Sequence, residues 1–186
     1  MTNAARTALE GDVTRILAHW IPRDDHDRSM RASFAEHLAD PSLPLSRDAG
    51  PHHVTASALA FDPSLARTLL VFHRKGRFWV QPGGHLEAGD ASIRDAALRE
   101  LREETGVEGS ASAALDLDHH ALGSGFGRCA SHLDIGVGII VDPAATLAVS
   151  DESEDLAWFA LDALPPDLAN GTARRLNAMR ERLRVV

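Results

Sequence analysis

The apolar positions at the start of the chain follow a helical pattern. They recur every three or four residues from Val13 to Trp20, directly after Asp12, which is suited to cap a helix, and again from Met30 to Leu38. We therefore predict two amphipathic helices within a helical N-terminal extension, residues 1–47. The favoured role of the extension is packing on the rest of the protein; a contact in a homodimer and a cover over an active site are the alternatives.

The rest of the chain alternates short apolar runs with turn-forming residues. Prolines and a glycine between residues 44 and 51 predict a boundary, so that residues 48–186 form the main domain. Strands are predicted at residues 52–61, 67–73, 78–80, 111–117, 132–141 and 157–159, and helices at residues 91–104 and 173–183. Strands on either side of a helix, with a second helix closing the chain, predict an α/β fold in which a mixed sheet packs between helices as an α/β/α sandwich.

Acidic residues lie beside the apolar face of the helix predicted at residues 91–104. At about 100° per residue, Glu100 and Glu104 fall inside the apolar arc and Glu103 falls at its edge, whereas Arg99 falls on the other side. Like charges this close repel one another, and partial burial raises the cost. A hard divalent cation, Mg²⁺ or Mn²⁺, would relieve the repulsion. The alternative is a salt-bridged helix without a metal.

A glycine-rich loop precedes this helix. Gly83, Gly84 and Gly89 permit a ligand to approach the backbone closely, and the loop leads to a helix N-terminus, which favours anions. Phosphate groups held to the protein through a metal would satisfy both features.

Together the loop and the helix resemble the signature of the Nudix hydrolases, G-x5-E-x7-R-E-U-x-E-E-x-G-U, where U is aliphatic. The stretch from Arg99 to Val107 reads RELREETGV and matches without a gap, and residues 83–89 read GGHLEAG. Asp90 stands where the family has its first glutamate, and eight residues rather than seven separate Asp90 from Arg99. This difference suggests a slightly longer loop and leaves the role of Asp90 open.

The resemblance implies an enzyme in which water attacks phosphorus and a phosphoanhydride bond of a nucleoside diphosphate derivative breaks. It implies that Mg²⁺ or Mn²⁺ is held by Glu100, Glu103, Glu104 and a backbone carbonyl at Gly83 or Gly84. It gives Arg99 an orienting role and leaves the general base open between Glu103, Glu104 and an acidic loop that contains Glu152 and Glu154. The alternative function is a Nudix module that binds a nucleotide or nucleotide-sugar without cleaving it.

Three further residues are candidates for substrate binding. Arg74 and Arg77 belong to a basic cluster before the glycine loop. This cluster either binds phosphates or consists of exposed charges on a turn. His132 shares a strand face with Asp134 and either points toward the metal site or forms a structural hydrogen-bonded pair with Asp134.

Composition excludes several other classes of function. The net charge of −8 argues against a nucleic-acid or anionic-membrane surface. The resemblance to the Nudix hydrolases implies a nucleotide-type small molecule as the partner. One cysteine, Cys129, excludes an internal disulfide framework and is predicted to be a packing residue. We expect no zinc, because adjacent histidines on a strand face opposite ways and no C-x-x-C or H-E-x-x-H occurs. Without an apolar leader or a membrane-spanning run, the cytoplasm is the expected location.

Overall fold

A computed structural model of the protein describes residues 3–40, 45, 50–123, 127–151 and 153–185. Within these residues, four helices and seven strands follow in the order α1 (Asn3–His19), α2 (Asp25–Ala39), β1 (His52–Phe61), β2 (Arg67–His73), β3 (Phe78–Val80), β4 (Gly83–His85), α3 (Ile93–Thr105), β5 (Ser110–Ala121), β6 (Ser131–Ile140), β7 (Ser153–Ala160) and α4 (Thr172–Leu183). None of the described helices has the length and apolar character needed to cross a bilayer.

The strands form one mixed sheet. Its main path runs β3-β2-β1-β6-β5, with β4 paired to β1 and β7 paired to β2. The pairs β1–β2, β2–β3 and β2–β7 are antiparallel, and a parallel bridge joins Trp79 to Leu168. The predicted α/β class, with a mixed sheet and a helical extension, is confirmed.

The described residues divide into two compact units. The first comprises Met1–Ala56, His85–Ala96 and Leu117–Ile135. Its core includes the apolar face of α1 together with Phe34 of α2, which is fully buried. The carboxylate of Asp12, in the middle of α1, accepts a hydrogen bond of 2.8 Å from the backbone N–H of Ile93, the first residue of α3. The helical extension therefore packs within this unit and caps a second helix.

The second unit comprises Ser57–Gly84, Ala97–Asp116 and Gly136–Val186. Its core gathers apolar residues from strands and from α4: Leu59, Phe61, Leu70, Ala114, Leu161, Leu176 and Met179. A buried ion pair lies against this core, with Arg175 Nε of α4 2.6 Å from Asp116 Oδ2 of β5. The pair fixes α4 to the sheet.

Three of the differences from the sequence-based prediction have a cause in the tertiary structure. Helix α1 begins at Asn3, so Asp12 does not cap α1; instead its side chain caps α3. Strand β4 was not predicted, because Gly-Gly-His has no apolar alternation. Strand β7 extends from residue 153 rather than 157, since the backbone of its acidic first half also pairs with β2. In each case the outcome depends on a contact between residues distant in sequence, which the local sequence pattern does not reveal.

Candidate active site

The three glutamates of α3 differ in burial as the helical pattern predicts. Glu100 is buried, Glu104 is half-buried, and the side chain of Glu103 is 51% exposed. All three belong to the second unit, together with Gly83 and Gly84. A carboxylate is buried only at a cost unless positive charge or hydrogen-bond donors surround it, so the partners of these glutamates decide what the site can do.

Two of the carboxylates converge on the backbone of the glycine pair. Glu104 Oε1 accepts a hydrogen bond of 3.0 Å from the N–H of Gly83. A Cβ added at Gly84 would lie 2.7 Å from Glu100 Oε1 and 2.8 Å from Glu100 Oε2. A side chain at residue 84 would therefore displace the carboxylate of Glu100, which fills that space.

Arg99 does not lie on the far side of the helix as its position in the helical pattern suggested. Its Nη1 donates to Glu100 Oε1 and to Glu103 Oε2, both at 2.9 Å. The expectation that arginine would point away is wrong, because periodicity fixes only the direction of Cβ and a long side chain can turn back. Arg99 thus orients two of the three carboxylates.

The donor set suits a hard divalent cation. Glu100, Glu103 and Glu104 offer only oxygen atoms, which Mg²⁺ and Mn²⁺ prefer, and the glycine pair adds backbone carbonyls without side chains to block access. Arg99 brings one positive charge to Glu100 and Glu103, and one guanidinium does not neutralise three carboxylates. These residues therefore fit a bound Mg²⁺ or Mn²⁺.

Asp90 shapes the loop that precedes α3. Its buried carboxylate accepts a hydrogen bond of 2.7 Å from the N–H of Glu87, and its own N–H donates to the carbonyl of Glu87 at 3.2 Å. Because both bonds close the same turn, Asp90 fixes the loop from Glu87 to Asp90.

The basic cluster contacts the acidic segment around β7. Arg77 forms an ion pair with Glu154, and Arg74 Nη2 donates to the carbonyl of Ser153 at 3.1 Å. Glu154, predicted as a general base, is thus held by the predicted substrate ligand Arg77. Glu152 lies outside the described residues.

His132 belongs to a histidine group in the first unit. Its ring centroid lies 4.9 Å from that of His53 and 5.3 Å from that of His85. Burial, the largest cause, and the neighbouring histidines together lower the pKa of His132 to about 3, against the opposing charge of Asp134. Asp134 itself accepts a hydrogen bond of 2.7 Å from Thr55.

The histidine group also includes the cysteine. Ligand atoms of His53, His85, Cys129 and His132 all lie within 4.8 Å of one another. The prediction against zinc considered only histidines adjacent in sequence, and it missed this set because its members are spread from residue 53 to residue 132. Adjacent positions on a strand diverge, whereas residues on neighbouring strands converge.

Comparison with known proteins identifies one domain family in this chain. The NUDIX domain family matches residues 51–179. The protein named MutT4 of Mycobacterium tuberculosis is 31% identical over 125 residues, which cover 66% of this chain and 49% of that protein. The NAD-capped RNA hydrolase NudC of Pseudomonas aeruginosa is 38% identical over 87 residues, covering 45% of this chain and 27% of NudC. The chain thus spans about half or less of these relatives.

Among solved structures, the crystal structure of a UDP-X diphosphatase covers 97% of this chain and 96% of its own, with a TM-score of 0.59 and 19% identity. At this identity the likeness shows a shared fold. The match extends over nearly the whole chain, beyond the residues 51–179 that the family comparison covers.

Proposed function

Because the chain belongs to the Nudix family, we propose that it is a Mg²⁺- or Mn²⁺-dependent hydrolase that cleaves a phosphoanhydride bond of a nucleoside diphosphate linked to another group. The observation that carries this proposal is the convergence of the Glu100 and Glu104 carboxylates on the backbone of Gly83 and Gly84. An all-oxygen site beside a side-chain-free backbone suits a cation bridged to a pyrophosphate.

Glu100, Glu103, Glu104 and the carbonyl of Gly84 would hold the cation. A bound Mg²⁺ or Mn²⁺ would neutralise charge on the phosphoryl oxygens and lower the pKa of the attacking water. Arg99 acts as a positioning residue, since its guanidinium bridges Glu100 and Glu103.

The overall reaction adds one water molecule across a P–O–P linkage. The water oxygen bonds to one phosphorus, the bridging oxygen leaves on the other, and the water proton passes to a carboxylate that acts as general base. Glu103 is our first candidate for this base because it is the most exposed of the three. Glu104 and the acidic segment with Glu152 and Glu154 are the alternatives, although Glu154 would first have to leave Arg77.

Arg74 and Arg77 remain proposed phosphate ligands, at the place where β2 leads toward β3. His132 is not retained as a substrate ligand, because its ring packs against three other imidazoles. A nucleoside diphosphate with a variable second group is also what the name of the UDP-X diphosphatase describes.

We propose that residues 48–186 form the Nudix domain and that the protein acts on small nucleotides in the cytoplasm, either alone or as a homodimer.

The test is a substrate screen with product identification. Nucleotide sugars, ADP-ribose, dinucleoside polyphosphates and nucleoside triphosphates would be incubated with Mg²⁺ or Mn²⁺ in ¹⁸O-labelled water, and both products weighed by mass spectrometry. We expect two phosphate-bearing products, one with a single ¹⁸O. Glu103→Gln is expected to lower kcat by at least about 10²-fold while the protein stays folded. The matched control, Glu108→Gln, changes an exposed glutamate just after α3 and is expected to retain activity.

A non-catalytic binding module is the second candidate, and Arg99 favours it, since a guanidinium already compensates part of the acidic cluster. Calorimetry separates the two functions. Tight nucleotide binding without product formation in any metal, together with no effect of Glu103→Gln on that binding, would contradict the proposed hydrolase function.

A further inference from the structure

The first unit contains a second group of metal-ligating side chains, which shares no residue with the carboxylate site. His53 lies in β1, His85 ends β4, His132 lies in β6, and Cys129 precedes β6. Their ligand atoms lie within 4.8 Å of one another, and Cys129 Sγ lies 3.7 Å from His85 Nε2. His53 is fully buried and the others are half-buried.

These separations are close to those of a tetrahedral zinc site. With Zn–N bonds of about 2.0 Å and Zn–S bonds of about 2.3 Å, neighbouring ligand atoms lie roughly 3.3–3.6 Å apart. The sulfur–nitrogen separation of 3.7 Å already meets this geometry. The remaining separations, all within 4.8 Å, require movements of about 1 Å, which side-chain rotations supply.

The hydrogen bond of His53 fixes the nitrogen that is available to a metal. His53 Nδ1 lies 3.1 Å from the carbonyl oxygen of Gly50, and a carbonyl can only accept, so Nδ1 carries the proton. The lone pair of the neutral ring is then on Nε2. Histidines that bind metals commonly donate their other nitrogen to a carbonyl or carboxylate in this way, which orients the ring.

A buried atom of His132 gives an independent indication. His132 Nε2 is buried and has no hydrogen-bond partner within the part of the chain that the structure describes. Buried polar atoms nearly always have a partner, and a metal bound among these imidazoles and the thiol would supply one.

Packing of neutral histidines in the core is the competing interpretation. It accounts for the ring contacts at 4.9–5.3 Å. It does not account for four side chains that place ligand atoms within 4.8 Å, nor for the buried nitrogen of His132. A metal accounts for both.

We propose that His53, His85, Cys129 and His132 bind one Zn²⁺ ion. Imidazole and thiolate are ligands that zinc prefers and Mg²⁺ does not, so this ion differs in kind from the cation proposed at the glutamates. Four protein ligands leave no open position, which is typical of a structural site. Binding converts the thiol of Cys129 to a thiolate, releases one proton and changes no oxidation state.

Zinc would join three strands and the segment before β6. His85, His53 and His132 lie on β4, β1 and β6, and Cys129 holds the chain as it enters β6. The ion would therefore stabilise the first unit. The proposal does not rest on the proposed hydrolase activity.

Metal content tests the proposal directly. The full-length chain, with any affinity tag removed, would be incubated with Zn²⁺, dialysed, and analysed by mass spectrometry of the elements. We expect about one zinc per chain, retained in millimolar Mg²⁺. Cys129→Ser and His132→Ala are expected to lose most of it. His120→Ala, which removes a ring next to His132 but outside the set, is expected to keep it. Wild-type protein without zinc, or Cys129→Ser with full zinc content, would overturn the proposal.

Cobalt substitution identifies the ligands without depending on activity. Co²⁺ bound by three imidazoles and a thiolate gives intense visible bands and a sulfur-to-cobalt charge-transfer band in the near ultraviolet. We expect both in the wild type and loss of the charge-transfer band in Cys129→Ser. Bound Co²⁺ with no sulfur band in the wild type would exclude Cys129 as a ligand.

Thermal unfolding of the wild type tests the proposal without any substitution, so a variant that fails to fold cannot affect the result. Zinc-free protein, prepared with a chelator, is expected to melt at a lower temperature than the zinc-loaded form and to recover on adding Zn²⁺ but not Mg²⁺. Equal melting temperatures would overturn the proposal. Glu103→Gln is expected to retain zinc, so failure of the hydrolase and failure of this site would be distinguishable.

Discussion

The backbone at Gly84 leaves space that the carboxylate of Glu100 occupies. Gly84→Ala would place a methyl group 2.7 Å from Glu100 Oε1, a distance at which one of them must move. Because misplacing a catalytic group by about 1 Å can cost about 10²-fold in rate, we expect kcat to fall by roughly that factor with little change in melting temperature. Steady-state kinetics on a substrate from the screen measures the effect.

Gly89 supplies the matched control. A Cβ at Gly89 meets nothing within 4 Å, so Gly89→Ala is expected to leave kcat near the wild-type value. Equal losses in the two variants would show that loop stiffness, and not the position of Glu100, limits the rate.

Asp62 gives a pH dependence whose sign can be worked out. Burial alone would raise the pKa of Asp62, but hydrogen bonds from Ser64 Oγ and from the N–H groups of Ala66 and Arg67 outweigh burial and lower the pKa. A carboxylate with a lowered pKa in the folded state contributes stability that is present above its unfolded value of 3.8 and is lost as the pH falls through the folded value.

We therefore expect Asp62→Asn to destabilise the protein by about 1–3 kcal/mol at pH 7. The difference from the wild type should shrink as the pH falls below 3.8 and through the lowered folded-state pKa, where the wild-type carboxylate also becomes neutral. Urea unfolding at several pH values checks both statements. Ser64→Ala, which removes one of the hydrogen bonds, is expected to show a smaller effect with the same trend. A difference that stays constant with pH would show that the charge of Asp62 is unimportant.

Helix α3 receives its cap from another helix. Asp12 is 4% exposed, accepts from the N–H of Ile93 and pairs with Arg15. We expect Asp12→Ala to lower the free energy of unfolding by about 1–2 kcal/mol, the usual cost of losing a cap. Asp25→Ala, at an exposed position at the start of α2, is the control and is expected to have little effect. Equal effects in urea unfolding would contradict a capping role for Asp12.

Helix α4 is attached through the ion pair between Arg175 and Asp116, which are 2% and 0% exposed. Arg175→Met would leave the carboxylate of Asp116 buried without this guanidinium, and we expect a loss of about 3–5 kcal/mol. The double variant Arg175→Met, Asp116→Leu is expected to recover much of it, since an apolar pair avoids the cost of burying charge. Thermal unfolding of both variants checks this. If the double variant is no more stable than the single variant, the loss of stability comes from lost packing and not from the unpaired carboxylate of Asp116.

At the level of elements, sequence reasoning succeeded where local pattern and tertiary environment agreed. The periodicity of residues 91–104 placed Glu100 and Glu104 beside the core and Glu103 at its edge, in agreement with their burial. It failed for Asp12, because a polar residue before an apolar run looks the same whether it caps its own helix or another one. It failed for Arg99 because the pattern does not describe where a flexible side chain ends.

Across the whole molecule, the signature stretch was enough to predict the family and the fold, because its residues lie close together in sequence. The His53, His85, Cys129 and His132 group could not be predicted in this way. Its members become neighbours only through strand pairing, and no spacing rule connects them. The single available signal was a histidine on each of two predicted strands.

The hydrogen bond between Asp12 and Ile93 also limits how far the chain can be shortened at its N-terminus. Residues 51–179, which match the family, do not contain the carboxylate that caps the signature helix. A fragment trimmed to the family boundaries would lose that cap and expose the N–H groups at the start of α3. The helix that carries the proposed metal ligands therefore depends for its cap on a part of the chain outside the residues that match the family, so a shortened protein should be designed to include both.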